Sequence, residues 1–232
     1  LGQGMAVGLA QAGADIVGVY RSEAGETQKR VEALGRGFLP VKADLSSTEP
    51  INGIIGKALD QFGKIDILVN NAGIIRRNAS IDFTEKDWDD VLNVNTKVLF
   101  FLSQAAARQF VKQGNGGKII NIASMLSYQG GIRVPSYTAS KHAVMGLTRI
   151  LANEWAKYHI NVNAIAPGYM VTNNTAALRA DEKRYHEILD RIPAGRWGTP
   201  EDLQGIVVFL ASDASDYING FTIAVDGGWL AR

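Results

Sequence analysis

Short apolar runs alternate with longer segments of helical periodicity along the 232-residue chain. The predicted strands are Asp15–Tyr20, Gly37–Ala43, Ile65–Asn70, Gly117–Ala123, Ile160–Ala166 and Thr222–Val225. Their continuous apolar character indicates strands that are covered on both faces, as in a parallel sheet. The helical patterns lie near Met5–Gln11, Ala24–Leu34, Ser47–Phe62, Thr84–Gln113, Ser136–Tyr158 and Glu201–Ser212. This alternation predicts an α/β fold with a doubly wound parallel sheet in one domain, which binds ligands at the carboxyl ends of its strands.

Composition excludes several classes of partner. The 24 basic and 23 acidic residues are interspersed, without the basic stripe of a nucleic-acid-binding surface. No apolar run approaches the roughly 20 residues that span a bilayer. The chain has no cysteine, and its three histidines are scattered, so disulfides and a metal centre are not expected. We expect a cytoplasmic protein that binds no nucleic acid, membrane or metal.

Tyr137 and Lys141 stand four residues apart in a predicted helix, and Ser124 lies 13 residues before the tyrosine. This spacing places the phenol and the ammonium group on one helical face. A phenol titrates near pH 10, and a fixed cation beside it lowers that pKa. A serine hydroxyl nearby could hold a carbonyl oxygen while the phenol gives or takes the proton. These residues therefore fit the interconversion of ketones and alcohols, which needs a hydride carrier.

The tyrosine–lysine pair by itself is weak evidence. An amphipathic helix with a half-buried tyrosine and a solvated lysine produces the same spacing. Additional motifs make the pattern specific: Asn70-Asn71-Ala72-Gly73, Asn93-Val94-Asn95, Ala166-Pro167-Gly168 and Asp226-Gly227-Gly228.

With these motifs in this order, the chain closely resembles a classical short-chain dehydrogenase/reductase over its whole length. The resemblance implies a Rossmann-type domain with the strand order 3-2-1-4-5-6-7. It also implies a homotetramer that is paired through the two long helices and the C-terminal strand. The family begins with a strand and a glycine-rich turn, of which Gly2 matches only the last glycine. We therefore expect the fold here to lack the first strand and most of that turn, and we expect a further N-terminal segment in the biological protein. The alternative for Gly2-Gln3-Gly4 is a frayed terminus.

The resemblance also implies a role for each matching residue. Tyr137 would be the general acid and base, Lys141 would lower its pKa and bind the nicotinamide ribose, and Ser124 would orient the substrate carbonyl. Asn95 would hold a water molecule in the proton relay. The residues that would contact NAD(P) are Gly2, Tyr20, Arg21, Asp44, Leu45, Asn71, Ala72, Gly73, Tyr137, Lys141, Pro167, Gly168 and Thr172.

The residues after the second family strand bear on the choice between NAD and NADP. An acidic residue there would bind the ribose hydroxyls and repel a 2′-phosphate, but this chain has Tyr20. Arg21 and Ser22 could bind the 2′-phosphate instead, or Arg21 could simply be a solvated loop residue. The family branch that the chain resembles is usually associated with NAD. The cofactor prediction is therefore NAD(P).

Arginines near the predicted site indicate an acidic substrate. Arg76 and Arg77 follow the Asn-Asn-Ala-Gly motif, and Arg133 precedes Tyr137. The surrounding segments resemble the branch of the family that acts on sugar acids. A guanidinium group can bind a carboxylate with two hydrogen bonds, although each arginine could equally form a surface salt bridge. Adjacent Arg76 and Arg77 cannot easily both face one pocket.

The segment Thr172–Arg191 is predicted to be a charged helix that closes over the substrate, or a plain solvated helix. The functional hypothesis is an NAD(P)-dependent oxidoreductase acting on a keto-deoxy sugar acid. Two alternatives stay open at this point: a 3-oxoacyl-thioester reductase of the same family, and a nucleotide-binding protein without catalysis.

Overall fold

Six strands and nine α-helices alternate along the chain in the computed structural model, which describes residues 1–232. The strands are β1 (Ile16–Tyr20), β2 (Phe38–Lys42), β3 (Ile67–Asn70), β4 (Gly117–Ile122), β5 (Ile160–Pro167) and β6 (Thr222–Val225). The helices are α1 (Gly2–Gln11), α2 (Gly25–Glu32), α3 (Ile51–Phe62), α4 (Glu85–Leu92), α5 (Leu99–Gln113), α6 (Pro135–Trp155), α7 (Ala176–Ala180), α8 (Glu182–Leu189) and α9 (Gln204–Ala211). Each predicted strand is present, with ends that differ by no more than two residues. None of the helices has both the length and the apolar composition needed to cross a lipid bilayer.

All strand pairs are parallel, and they form two groups. One group has the order β1-β2, and the other has the order β3-β4-β5-β6. A cavity of about 790 Å³ between the groups is lined by residues of both β1 and β3. The α/β fold class with a parallel sheet is confirmed.

Helices cover both faces of the four-stranded group. On one face, Met5 of α1, Val207 of α9 and Leu203, which directly precedes α9, pack against strand residues such as Ile120 and Ile165. On the other face, α5 and α6 contribute a second buried cluster that includes Phe110 and Leu151 with Ile119, Ile160 and Val162. Because neither face is left open, the strands are apolar on both sides, which is the pattern that the sequence shows.

The helix predicted at Thr84–Gln113 is interrupted. Thr84 caps α4 by accepting a hydrogen bond from the Asp87 backbone N–H, as the sequence indicates. Between α4 and α5, however, Asn93–Val98 forms a π-helical segment. Such segments are rare and recur at functional sites, because the extra residue turns side chains away from the regular helical face. This segment carries Asn95.

The predicted helix at Thr172–Arg191 is also divided. A 3₁₀ turn at Asn173–Thr175 precedes α7, and Asp181 then separates α7 from α8. Asp181 has extended backbone angles, and its side chain accepts a hydrogen bond from the Arg184 N–H to cap α8. An aspartate suits this role because its carboxylate satisfies a free N–H group at a helix start.

Candidate active site

Four of the predicted catalytic residues meet at the carboxyl end of β4 and the adjoining helices. We refer to Asn95, Ser124, Tyr137 and Lys141 as the catalytic floor. Ser124 follows β4 and is 7% exposed, Lys141 lies in α6 and is 4% exposed, and Asn95 is 1% exposed. Tyr137 lies in the first turns of α6 and is partly exposed. Buried polar groups need hydrogen-bond partners, so the partners of these residues define the site.

Asn95 ties three parts of the chain together. Its Oδ1 accepts a hydrogen bond from the Ile74 N–H at 2.8 Å, and its Nδ2 donates to the Ile74 carbonyl at 3.0 Å. Nδ2 also donates to Ser140 Oγ in α6 at 3.1 Å. These contacts use three of the four hydrogen bonds that an amide side chain can make. Asn95 therefore fixes the loop after β3 against α6.

Lys141 is buried without a carboxylate partner. Its Nζ donates to the Ile122 carbonyl at 2.6 Å and lies 5.5 Å from the centre of the Tyr137 ring. Burial disfavours the charged ammonium group and lowers the pKa of Lys141 from its ordinary value of 10.5 to about 8. Lys141 therefore loses its proton at a lower pH than a solvated lysine does.

The surroundings of Tyr137 have opposing effects on the pKa of its phenol. Burial raises the pKa of the phenol, whereas the Ser124 side chain and the positive charge of Arg77 lower it. The net shift is upward, which is opposite to the shift that the sequence argument expects from Lys141 alone. The difference arises because burial is the largest influence on the phenol and raises its pKa, while the Lys141 ammonium group donates to the Ile122 carbonyl. Ser124 Oγ also accepts a hydrogen bond from the Leu126 N–H at 3.1 Å, which fixes the hydroxyl beside the tyrosine.

The three predicted substrate arginines have different environments. Arg76 binds the carboxylates of Asp87 and Asp90 at 3.4 and 3.2 Å, so it is held against α4 and does not reach the tyrosine. Arg77 has no carboxylate partner, and its Nη2 donates to the Asn174 carbonyl at 2.9 Å. The positive charge of Arg77 lowers the pKa of the Tyr137 phenol, whereas two aspartates neutralise Arg76.

Arg133 occupies a strained loop position. Its φ of 64° lies in the left-handed region, which is unfavourable for residues other than glycine. Its carbonyl accepts a hydrogen bond from the Asn78 N–H at 3.0 Å, which holds this loop against the segment that follows Arg77. The Arg133 side chain is exposed. A substrate contact for Arg133 therefore remains a proposal.

Sequence reasoning did not identify an aromatic cluster that packs against Met125, the residue after Ser124. The Tyr169 ring lies edge-on to Trp197 and Trp229, with centroid distances of 5.4 and 4.8 Å. Tyr185 stacks on Trp197, and the Arg191 guanidinium lies 4.0 Å from the centre of the Trp229 ring. The available signal was the position of Tyr169, which directly follows the Pro167-Gly168 motif. We refer to Arg77, Tyr169 and Arg191 as the rim.

Five of the predicted cofactor residues line the cavity of about 790 Å³ between the two strand groups: Gly2, Tyr20, Leu45, Asn71 and Ala72. The first turn of α1 has no side-chain cap, so its free N–H groups suit a phosphate.

Two glycines permit close packing of protein segments near this site. A Cβ atom on Gly73 would lie 3.3 Å from Asn95 Oδ1 and 3.8 Å from Lys141 Nζ, and one on Gly168 would lie 2.6 Å from Asp226 Cα. A larger residue at either position would crowd these neighbours, so glycine allows the close approach.

The remaining predicted cofactor residues lie at the ends of strands or in the loops that follow. Arg21 and Asp44 are exposed after β1 and β2, and Asp44 accepts a hydrogen bond from the Ser46 N–H. Pro167 ends β5, and Thr172 starts the segment with α7 and α8. All of them are thus on the side of the sheet where ligands bind in such folds.

Comparison with known proteins agrees with this geometry. A family model described as enoyl-(acyl carrier protein) reductase matches residues 1–230. The chain is 71% identical to a 2-dehydro-3-deoxy-D-gluconate 5-dehydrogenase of Dickeya dadantii, and 70% identical to the protein of the same name in Escherichia coli. Each match covers 100% of this chain and 92% of the relative.

Solved structures show the same similarity. A gluconate 5-dehydrogenase from Burkholderia cenocepacia, in complex with NADP and tartrate, superposes with a TM-score of 0.94 at 39% identity. The match covers 100% of this chain and 91% of that structure.

Proposed function

We propose, from the premise that this chain belongs to the short-chain dehydrogenase/reductase family, that it is an NAD(P)-dependent oxidoreductase of a keto-deoxy sugar acid. The reaction would be that of a 2-dehydro-3-deoxy-D-gluconate 5-dehydrogenase, which interconverts a secondary alcohol and a ketone. The observation that carries the proposal is the catalytic floor, where a serine, a tyrosine and a buried lysine converge on one side of the sheet. Neither a plain amphipathic helix nor a nucleotide-binding protein without catalysis requires this convergence.

The floor supplies the proton and orients the carbonyl group. In the direction of reduction, the Ser124 hydroxyl would donate a hydrogen bond to the substrate carbonyl oxygen, and the Tyr137 phenol would transfer its proton to that oxygen. The raised pKa of Tyr137 keeps the phenol protonated at neutral pH. The nicotinamide ring of the cofactor supplies the hydride when it is bound.

Lys141 and Asn95 would act on the proton path. The buried Lys141 ammonium favours negative charge that develops on the phenol as the proton leaves. It could also donate to the nicotinamide ribose, since it has three N–H donors and uses one on Ile122. Asn95 holds the Ile74 backbone and would, through its one remaining hydrogen bond, position a water molecule.

The substrate assignment rests on the relatives and on Arg77. Two curated relatives of about 70% identity are named for 2-dehydro-3-deoxy-D-gluconate, whose carboxylate needs a cationic partner. Arg77 is available for this role because no protein carboxylate neutralises it, and its charge reaches Tyr137. Arg133 is a second candidate, since its loop is held beside the same segment.

The preference between the two nicotinamide cofactors stays open within NAD(P). Tyr20 ends β1 where an acidic residue would disfavour a 2′-phosphate, and Arg21 follows it with an exposed side chain. The related gluconate 5-dehydrogenase binds NADP. Use of NADP is therefore compatible with this surface.

Tetramer formation is also part of the proposal. A groove of about 370 Å³ runs between α5 and α6, and it is lined by residues that include Phe100, Val111 and Trp155. Exposed apolar side chains continue along these helices at Val111 (46%), Ile150 (47%) and Tyr158 (41%), and Phe221 is 61% exposed before β6. Such exposed apolar surface is typical of protein interfaces. We place the enzyme in the cytoplasm, where nicotinamide cofactors are recycled.

A substrate panel tests the proposed function. The purified chain, together with any N-terminal segment that its gene encodes, is supplied with NADH or NADPH and a set of keto sugar acids. An acetoacetyl thioester serves as the competing substrate, and nicotinamide absorbance reports turnover. We expect turnover of the keto-deoxy sugar acids only. Turnover of the thioester alone would support the 3-oxoacyl-thioester reductase instead, and cofactor binding without any turnover would support a protein that lacks catalysis.

A further inference from the structure

The Tyr169 hydroxyl has no protein partner, although its ring is well packed. The ring contacts Trp197 and Trp229 edge-on, and burial raises the pKa of the phenol. No protein group donates to or accepts from the hydroxyl. Because the hydroxyl is not buried, it reaches solvent and is available to a ligand.

Three arginines from two segments of the chain influence the pKa of this phenol. The charges of Arg184, Arg191 and Arg77 all lower the pKa of Tyr169, in opposition to burial. Arg77 also lowers the pKa of Tyr137. Tyr169 also packs against a buried cluster that contains Met125, the residue after Ser124, so its ring lies near the catalytic floor.

The three arginines differ in whether a carboxylate neutralises the guanidinium group. Arg184 forms a salt bridge with Glu187 at 2.6 Å, which neutralises it on α8. Arg191 has no carboxylate partner, and it is held by stacking 4.0 Å above the Trp229 ring. Such stacking orients a guanidinium group while its N–H donors remain free at the edges. Arg77 likewise contacts only the Asn174 carbonyl.

The same residues connect the loop after β3 to the segment with α7 and α8. Arg77 reaches from that loop to Asn174, Arg191 follows α8, and Trp229 underlies Arg191 near the C-terminus. Trp229 is 4% exposed, so the platform for Arg191 is fixed. Arg191 and Tyr169 both contact the Trp229 ring, so the guanidinium group and the phenol belong to one cluster.

We infer that Tyr169 and Arg191 are specificity-determining residues, which bind the carboxylate of the substrate together with Arg77. Arg191 would donate through its guanidinium N–H groups and Tyr169 through its hydroxyl. The inference rests on the proposed function for the identity of the anion, a sugar acid. It adds two residues that the catalytic floor does not need for proton transfer, so their loss should weaken substrate binding and spare the chemical step.

Two variants test these roles, and one control matches them. Tyr169→Phe removes only the hydroxyl, and Arg191→Gln removes the charge while it keeps a polar side chain of similar shape. We expect each variant to raise KM for the keto-deoxy sugar acid about tenfold, because each loses a hydrogen bond to a charged group. The kcat and the KM for NAD(P) should stay within about twofold. Lys183→Gln removes one positive charge from exposed α8 and should leave all these constants unchanged.

A neutral analogue separates recognition of the carboxylate from packing. The wild-type enzyme should prefer the sugar acid to its carboxamide, and this preference should fall about tenfold in Arg191→Gln. An altered pocket shape would affect acid and amide equally and would leave the ratio of their KM values unchanged. An unchanged ratio overturns the inference even if the sugar acid is the substrate.

Tartrate provides a measurement that does not depend on turnover. The cofactor-loaded protein is titrated with tartrate by calorimetry, and we expect about tenfold weaker binding in Tyr169→Phe and in Arg191→Gln but not in Lys183→Gln. Equal affinity in all four proteins overturns the anion site. Weaker binding in both rim variants, combined with no turnover of any sugar acid, would reject the proposed function and retain the site.

Discussion

The catalytic floor and the rim differ in how the protein holds them. Asn95, Ser124 and Lys141 are almost fully buried, and each has hydrogen bonds to the backbone of a neighbouring segment. Arg77 and Arg191 are exposed, and they are held by one carbonyl contact and one stacking contact, respectively. The floor is thus fixed before substrate arrives, whereas the rim keeps donors free for a ligand.

This difference separates two tasks. Proton transfer requires positions that are accurate to a fraction of an ångström, and a buried, hydrogen-bonded scaffold provides them. Recognition of a carboxylate requires unpaired guanidinium donors, which a fully satisfied core cannot offer. Substitutions in the floor should therefore act on kcat, and substitutions in the rim should act on KM.

The largest expected effect is in the floor. Tyr137→Phe removes the proton donor, so we expect kcat to fall about a thousandfold, within the range that general acid catalysis contributes. Cofactor affinity should change little, because the aromatic ring stays in place. Steady-state kinetics and a cofactor titration of the variant check both statements. A variant that keeps wild-type turnover would remove Tyr137 from the mechanism.

The pH dependence of the floor should have an intermediate effect. The pKa of Lys141 is lowered from 10.5 to about 8, so the lysine loses its proton at a lower pH than a solvated one. The protonated form is the active one, while Tyr137, with its raised pKa, stays protonated. We expect kcat/KM for reduction to be level below about pH 8 and to fall about tenfold per unit above it. Lys141→Ala should give a low and flat profile; a fall that persists in this variant would assign the titration to another group.

The smallest expected effect compares two adjacent arginines. Arg77→Gln should raise KM for the sugar acid about tenfold without changing kcat, because it removes a donor from the rim. Arg76→Gln makes the same change at the adjacent residue. In the wild-type protein, the Arg76 guanidinium group binds Asp87 and Asp90. We expect KM to change less than about twofold in Arg76→Gln, with a small loss of thermal stability. Equal KM increases in both variants would show that net charge matters more than position.

The sequence was sufficient for the strands and for the identity of the floor. A strand that is buried on both faces leaves a continuous apolar run, and all six such runs are strands in the structure. The spacing of Tyr137 and Lys141 places both on α6, and the order of the additional motifs indicated the family that the comparisons confirm. These features are local in the chain, or they depend on motif order alone.

The rim was harder to predict from the sequence, because it depends on contacts between distant segments. Nothing in the adjacent residues Arg76 and Arg77 shows that one binds the acidic face of α4 while the other reaches Asn174, 97 positions away. The direction of the Tyr137 pKa shift was likewise hidden, since burial is the largest influence on it. Stacking of Arg191 on Trp229 joins residues that have no sequence relation.

The π-helical segment at Asn93–Val98 makes the site sensitive to the deletion of a single residue. Deleting one residue there would allow α4 and α5 to join as a regular helix, whose hydrogen bonding is more favourable than that of a π turn. The same deletion would rotate α4 by about 100° relative to α5, since an α-helix has 3.6 residues per turn. Asn95 could then no longer hold Ile74 and Ser140 together. A variant of this kind could gain stability and lose activity, so selection for stability alone would remove the site.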